Sequence, residues 1–295
     1  MRRVGARGRD ASRLDAATLE PLLDDEDALR ELLLTHSGLP GPRANLELAA
    51  ALADAVGARP TQRVPWTLLW RWARLDPAQA PTQHRGEYLP FVALQALGAA
   101  FLGASPRERA ELDEALARAA SDPRWRLREA VAMTLQRIGL GELGAMQAML
   151  ERWLEPRHPL RHRAIVAALA HPPLLAEPAV ASWALGLADR VVAEFAAELP
   201  RGSSEEGTAL GRQRRRVALS DDEGALGRAL EYAPSVLVAA APAEGFALLR
   251  RWASHPSLVV KRVVATNLRK ARLARSFADE CERVGEVLAV SSEEP

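Results

Sequence analysis

Three stretches of the chain carry one pattern: a helix end of apolar–Arg–Trp, a turn containing proline, and then a further helical run. They are residues 68–77 around Trp72, 149–156 around Trp153 and 248–256 around Trp252. Trp153 and Trp252 lie 99 positions apart, three times 33, and 33 positions also separate Pro123 from Pro156 and Arg128 from Arg161. A fixed interval of this size marks a repeat whose units bury their apolar faces against their neighbours. Thirty-three residues suit two short helices and their turns. Composition agrees: Ala (57) and Leu (45) fill about a third of the 295 positions, Ile occurs only twice, and aromatic residues are 5%. Ala and Leu favour helices, whereas β-branched and aromatic residues favour strands. The expectation is an all-α chain without a sheet.

Charge narrows the function classes. Lys+Arg (39) and Asp+Glu (38) nearly cancel, which argues against a protein that coats nucleic acid non-specifically. The distribution is uneven. Eight acids lie between Asp10 and Glu31, while the stretch 245–278 holds eight cations and no acid. Opposite fields are therefore expected toward the two ends. All but two of the cations are Arg, which either reflects base composition of the gene or serves bidentate contacts. One cysteine, Cys281, allows neither an internal disulfide nor a cysteine zinc site, and fits a cytoplasmic location. The start has no apolar core of a signal peptide, and no apolar run is long enough to span a membrane.

Patterning predicts helices over 43–56, 65–73, 88–103, 106–120, 123–138, 141–154, 159–170, 178–199 (one helix or two), 225–232, 235–240, 242–253, 257–275 and 277–288. Residues 1–12 read as a flexible tail, and 13–199 as N-terminal and central helical repeats. Residues 200–224 read as a mobile charged loop, 225–290 as C-terminal basic repeats of the same array, and 291–295 as a frayed tail.

The clearest unit is Asp122-Pro-Arg-Trp-Arg-Leu-Arg-Glu-Ala-Val-Ala-Met-Thr-Leu-Gln-Arg-Ile-Gly139. Asp122 suits an N-cap, Pro123 a first helical turn and Gly139 a stop, and Leu127, Val131 and Leu135 form one apolar stripe. Residues 255–268 repeat the shape with Val260-Lys261 in place of Leu127-Arg128, and 155–161 follow it with a one-residue slip. The unit resembles the second helix of a HEAT repeat. That resemblance implies a right-handed α-solenoid of roughly six or seven stacked helix pairs with an extended concave surface. The helix-end Trp, Pro turn and basic helix of 248–268 also resemble the HEAT-like DNA alkylation-repair glycosylases. Those proteins hold a damaged duplex on a concave basic surface lined by Trp and a carboxylate. The carboxylate has no counterpart in 245–278.

The candidate binding residues follow from charge and spacing. On a helix over 257–275, Val260, Val263, Val264, Leu268 and Ala271 share one arc, and Lys261, Arg262, Arg269 and Arg272 the opposite one. With Arg250 and Arg251 they form a one-sign patch able to meet phosphates, or a solvated face whose charges pair with acids elsewhere. Arg124 and Arg128 start a helix in step with Arg161 and Arg163. Trp72, Trp153 and Trp252 read as packing between repeats, whereas Trp125 reads as a partly exposed stacking platform. Asn267, inside the apolar arc, is expected to bond a neighbouring turn. His158 and His162 lack the intervening acid of a zinc helix, so no metal is expected. Neither a phosphate-binding glycine loop nor a nucleophile elbow occurs, so no cofactor or small-molecule substrate is expected. The expectation is a non-catalytic scaffold whose partner is a protein or a nucleic-acid backbone. An alkylation-repair enzyme and an accessory protein docked on an enzyme are the alternatives.

Overall fold

The computed structural model describes residues 14–198 and 219–293. The described residues are helical and contain no strand. None of their helices is long and apolar enough to cross a membrane. The predicted tail 1–12, residues 200–218 of the predicted loop and residues 294–295 lie outside the described set.

The chain divides at 106/107 into two compact units. The first contains α1 (Ala16–Leu19), α2 (Glu26–Thr35), α3 (Leu46–Gly57), α4 (Trp66–Ala73) and α5 (Tyr88–Ala100). Short polar side chains start three of them: Asp15, Asp25 and Asn45 each accept a backbone N–H of the first turn. α5 is apolar on every side and buried almost throughout, the behaviour of a helix surrounded by others. It packs against α2, α3 and α4. At its start the buried Tyr88 donates its hydroxyl to the Asn45 carbonyl at 2.6 Å.

The second unit contains α6 (Pro106–Ala119), α7 (Trp125–Gly141), α8 (Leu143–Trp153), α9 (Pro159–Leu169), α10 (Pro178–Glu198), α11 (Asp221–Leu230), α12 (Ala233–Ala240), α13 (Pro242–Ala253), α14 (Leu258–Leu268), α15 (Ala271–Ala274) and α16 (Ala278–Glu293). α7 packs on α8 and α9, and α9 on α10, α11 and α12. α10 packs on α12 and α13, and α13 on α14 and α16. α9 and α10 thus precede the predicted loop yet share a unit with the helices that follow it.

Five local expectations change. Asp122 does not cap α7: its carboxylate accepts the Arg124 N–H at 2.8 Å and pairs with the Arg124 guanidinium, so the helix begins at Trp125. Gly139 does not stop α7, which runs on to Gly141. A Cβ at position 139 would lie 2.4 Å from the Met146 sulfur, so glycine lets α8 approach. The run 257–275 breaks at 269–270 into α14 and α15. Residues 221–224 belong to α11, begun by a capping box of Ser220 and Glu223, and 291–293 continue α16.

Candidate functional site

The recurrent Arg-Trp pair is a clip. In α8 the buried Trp153 donates its indole N–H to Asp113 of α6 at 2.8 Å, and Arg152 pairs with the other oxygen of the same carboxylate. In α13 Trp252 donates to Asp189 of α10 at 2.8 Å, and Arg251 pairs with the second oxygen. Between these two, Glu151 of α8 accepts the Trp183 N–H at 3.2 Å and pairs with Arg190, both of α10. Arg250 of α13 pairs with Glu280 of α16 at 2.9 Å. Thus α6, α8, α10, α13 and α16 are joined in succession, each to the next, by side chains. In the first unit Arg71, which precedes the buried Trp72, pairs with Glu26 of α2.

The remaining helices of the second unit are joined differently. Arg163 of α9 pairs with Glu129 of α7, and Gln136 of α7 donates to the Ala167 carbonyl at 3.1 Å. Asn267 of α14 is fully buried. Its amide donates to the carbonyls of Leu230 and Val263 at 2.7 and 2.8 Å, and its oxygen accepts the Ser235 N–H at 2.8 Å. One side chain therefore ties α14 to the end of α11 and the start of α12. The expected bond to a neighbouring turn is what the structure shows.

The predicted basic residues fall into three situations. Arg250 and Arg251 are spent in the clips. Arg124 is 2% exposed and bound to Asp122, so it presents no charge to solvent. Arg128 is half-buried and donates to the carbonyls of Asp122 and Pro123, while burial and the Arg163 charge hold its pKa down. Lys261 donates to the Ser291 carbonyl, and Arg262 pairs with Glu231 at 2.7 Å. The pairing acids are Asp189, Glu231 and Glu280, all within the second unit.

The third situation is the corner where α14 meets α15. Among the described residues Arg269 reaches only the Thr266 hydroxyl, at 3.4 Å. Arg272 lies 4.8 Å from the ring centre of Tyr232 and donates to its hydroxyl at 2.8 Å. Lys270 approaches the same ring at 5.7 Å. Tyr232 keeps 49% of its surface exposed. Sequence reasoning placed the cations but missed Tyr232, whose only signal is an aromatic residue in a helix-end turn. Trp125 is 42% exposed, with the Arg126 guanidinium 4.4 Å from its ring.

In the first unit an open cleft of about 640 Å³ lies beside α2 and the end of α4. Trp72, Leu75 and Leu89 supply apolar lining, and Glu31, Arg30 and Arg85 mixed charge. No group of three His, Cys, Asp or Glu able to hold a metal occurs among the described residues. His158 is instead the cap of α9, its Nδ1 accepting the Leu160 N–H at 3.2 Å, and His162 is buried against the Leu154 carbonyl. No protein-family model matches the chain, and no curated protein matches it.

Proposed function

We propose that this protein is a non-catalytic, HEAT-like helical-repeat scaffold. In this reading the joined helices α6, α8, α10, α13 and α16 form one face of an α-solenoid. The other helices of the second unit form the opposite face, and the basic corner of α14–α15 meets a nucleic-acid backbone. The carrying observation is the clip series: a carboxylate that accepts a Trp N–H and pairs with an Arg recurs three times between successive helices, as expected when equivalent units stack. Such an array uses its side chains to hold geometry and leaves an extended surface for a partner.

The test is a binding titration with duplex DNA across a range of salt, run beside an assay for base release from alkylated duplex. Binding that weakens steeply with salt, without base release, is the expected result. Release of alkylated bases would replace this reading with that of a repair enzyme. Absence of binding at low salt would remove duplex DNA as the partner.

A further inference from the structure

The corner of α14 and α15 differs from the rest of the basic stretch in two independent respects. The first is charge. Arg250, Arg251 and Arg262 each have a carboxylate partner. No carboxylate among the described residues pairs with Arg269, Lys270, Arg272 or Arg275. Four cations within seven positions therefore lack an ion-pair partner, and the nearby Glu231 is already paired with Arg262. The second is the aromatic ring. Tyr232 lies in the turn between α11 and α12, is half-exposed, and is approached by Arg272 and Lys270.

A stacking ring with cations beside it is what a single strand requires. Its bases have open faces to lay on an aromatic ring, and its phosphates follow the same path as the charges. In a duplex the base faces are stacked on one another and offer a tyrosine nothing, so cations alone suffice there. A lipid surface calls for large apolar side chains to insert, and this corner presents cations and a phenol. We infer that Tyr232, Arg269, Lys270, Arg272 and Arg275 form a contact site for single-stranded nucleic acid, with a base stacked on Tyr232 and adjacent phosphates on the four cations. The inference rests on the nucleic-acid part of the scaffold reading and narrows its partner.

The test uses fluorescence anisotropy with the full chain, a labelled 12-nucleotide poly(dT) strand, its poly(U) equivalent, a duplex of equal length, and phosphatidylserine vesicles. The strand is expected to bind more tightly than the duplex. Four phosphate contacts give a log–log salt slope of about −3, so affinity falls roughly 50-fold between about 50 and 200 mM salt. Tyr232→Leu, which keeps the charges, is expected to weaken strand binding by about 10- to 100-fold, as loss of one stacked base does. Tyr232→Phe keeps the ring and is expected to stay near the parent. Arg269→Gln with Arg275→Gln, both exposed positions, is expected to flatten the salt slope toward half. Thermal melts establish that each variant is folded. Equal strand binding by Tyr232→Leu and the parent, tighter binding of duplex than strand, or binding to vesicles alone would each overturn the site. Duplex binding that ignores Tyr232 would overturn only the single-strand assignment and leave the scaffold reading standing. No binding of either nucleic acid would overturn the site together with the nucleic-acid part of the scaffold reading.

Discussion

Arg59 shows how much one side chain can organise. It is 2% exposed at the side chain, and all five of its N–H donors are used. Nε meets Glu20, two nitrogens grip both oxygens of Asp24, and the carbonyls of Glu20 and Arg63 take the other two. The planar fork fits this arrangement, and a lysine would not replace it. Arg59→Met leaves Asp24 and Glu20 in solvent rather than buried and unpaired, so the loss is moderate, about 1–3 kcal/mol in denaturant unfolding. Arg59 also holds the Asp24 carboxyl below its ordinary range. A group depressed in the folded state contributes stability above its unfolded pKa and loses it as pH falls through the folded value. The parent should therefore lose melting temperature more steeply than Arg59→Met on acidification below about pH 4. His171 and His255 act at higher pH. Burial holds both below the ordinary 6.5, with Lys261 adding to the effect at His255. The unfolded chain then binds more protons just below 6.5, so stability falls as pH drops through that window. Nδ1 of His255 accepts the Ser257 N–H at 3.0 Å, a bond an Asn oxygen can also receive. His255→Asn is expected to flatten that part of the pH–melting curve. Nothing in the spacing of residues 20, 24 and 59 announces their meeting, because it is made by the packing of α1 and the following turn against α3.

At the scale of elements, helix positions were legible and helix ends less so. Pro159, Pro178 and Pro242 start helices where the pattern placed them, since a proline at the first turn forfeits no hydrogen bond. Asp122 and Gly139 show the limit. Each has the residue type of a helix boundary, yet one is claimed by a neighbouring guanidinium and the other by the approach of a second helix. Gly245 is a parallel case: a Cβ there would lie 2.7 Å from the Val238 backbone, where α12 and α13 cross. Backbone cannot step aside as a side-chain end can, so Gly245→Ala should cost about 1–3 kcal/mol despite the better helix propensity of Ala. Asn267→Leu tests the polar joint between α14, α11 and α12. It leaves the Ser235 N–H and the Leu230 carbonyl buried without a partner, an expected loss of about 2–4 kcal/mol in urea unfolding. Asn267 was readable because a polar residue inside an apolar arc demands a partner. The identity of that partner was not, lying 32 to 37 positions away.

At the scale of the molecule, the tryptophans were legible as repeated packing and their carboxylates were not. Asp113 and Glu151 both precede their arginine by 39 positions, but the corresponding link from Asp189 spans 62, so no single interval exposes the set. The exposed arginine of each clip contributes little in solvent, and the buried indole and its N–H bond to a carboxylate contribute most. Trp252→Phe should therefore cost more than Arg251→Ala, by about 1–2 kcal/mol. If the helices form a stacked array, hydrogen exchange in Trp252→Phe will quicken in α10 and α13 while α6 and α7 keep their protection. Uniform loss of protection across the second unit would instead indicate one all-or-none core.

The clip also has a grammar. On α8 the acceptor Glu151 reaches forward to α10 while its neighbours Arg152 and Trp153 reach back to α6. On α10 Asp189 reaches forward to α13 and Arg190 back to α8. Each of these helices thus carries a plug and a socket on adjacent residues, both specified within its own sequence. A tandem duplication of 143–177 would set the adjacent Arg-Trp plug of the copy against Glu151, a socket that now receives a Trp and an Arg seven positions apart, so the copied pair would engage only once that joint is refitted. Lengthening such a chain by one helix pair therefore means refitting one joint.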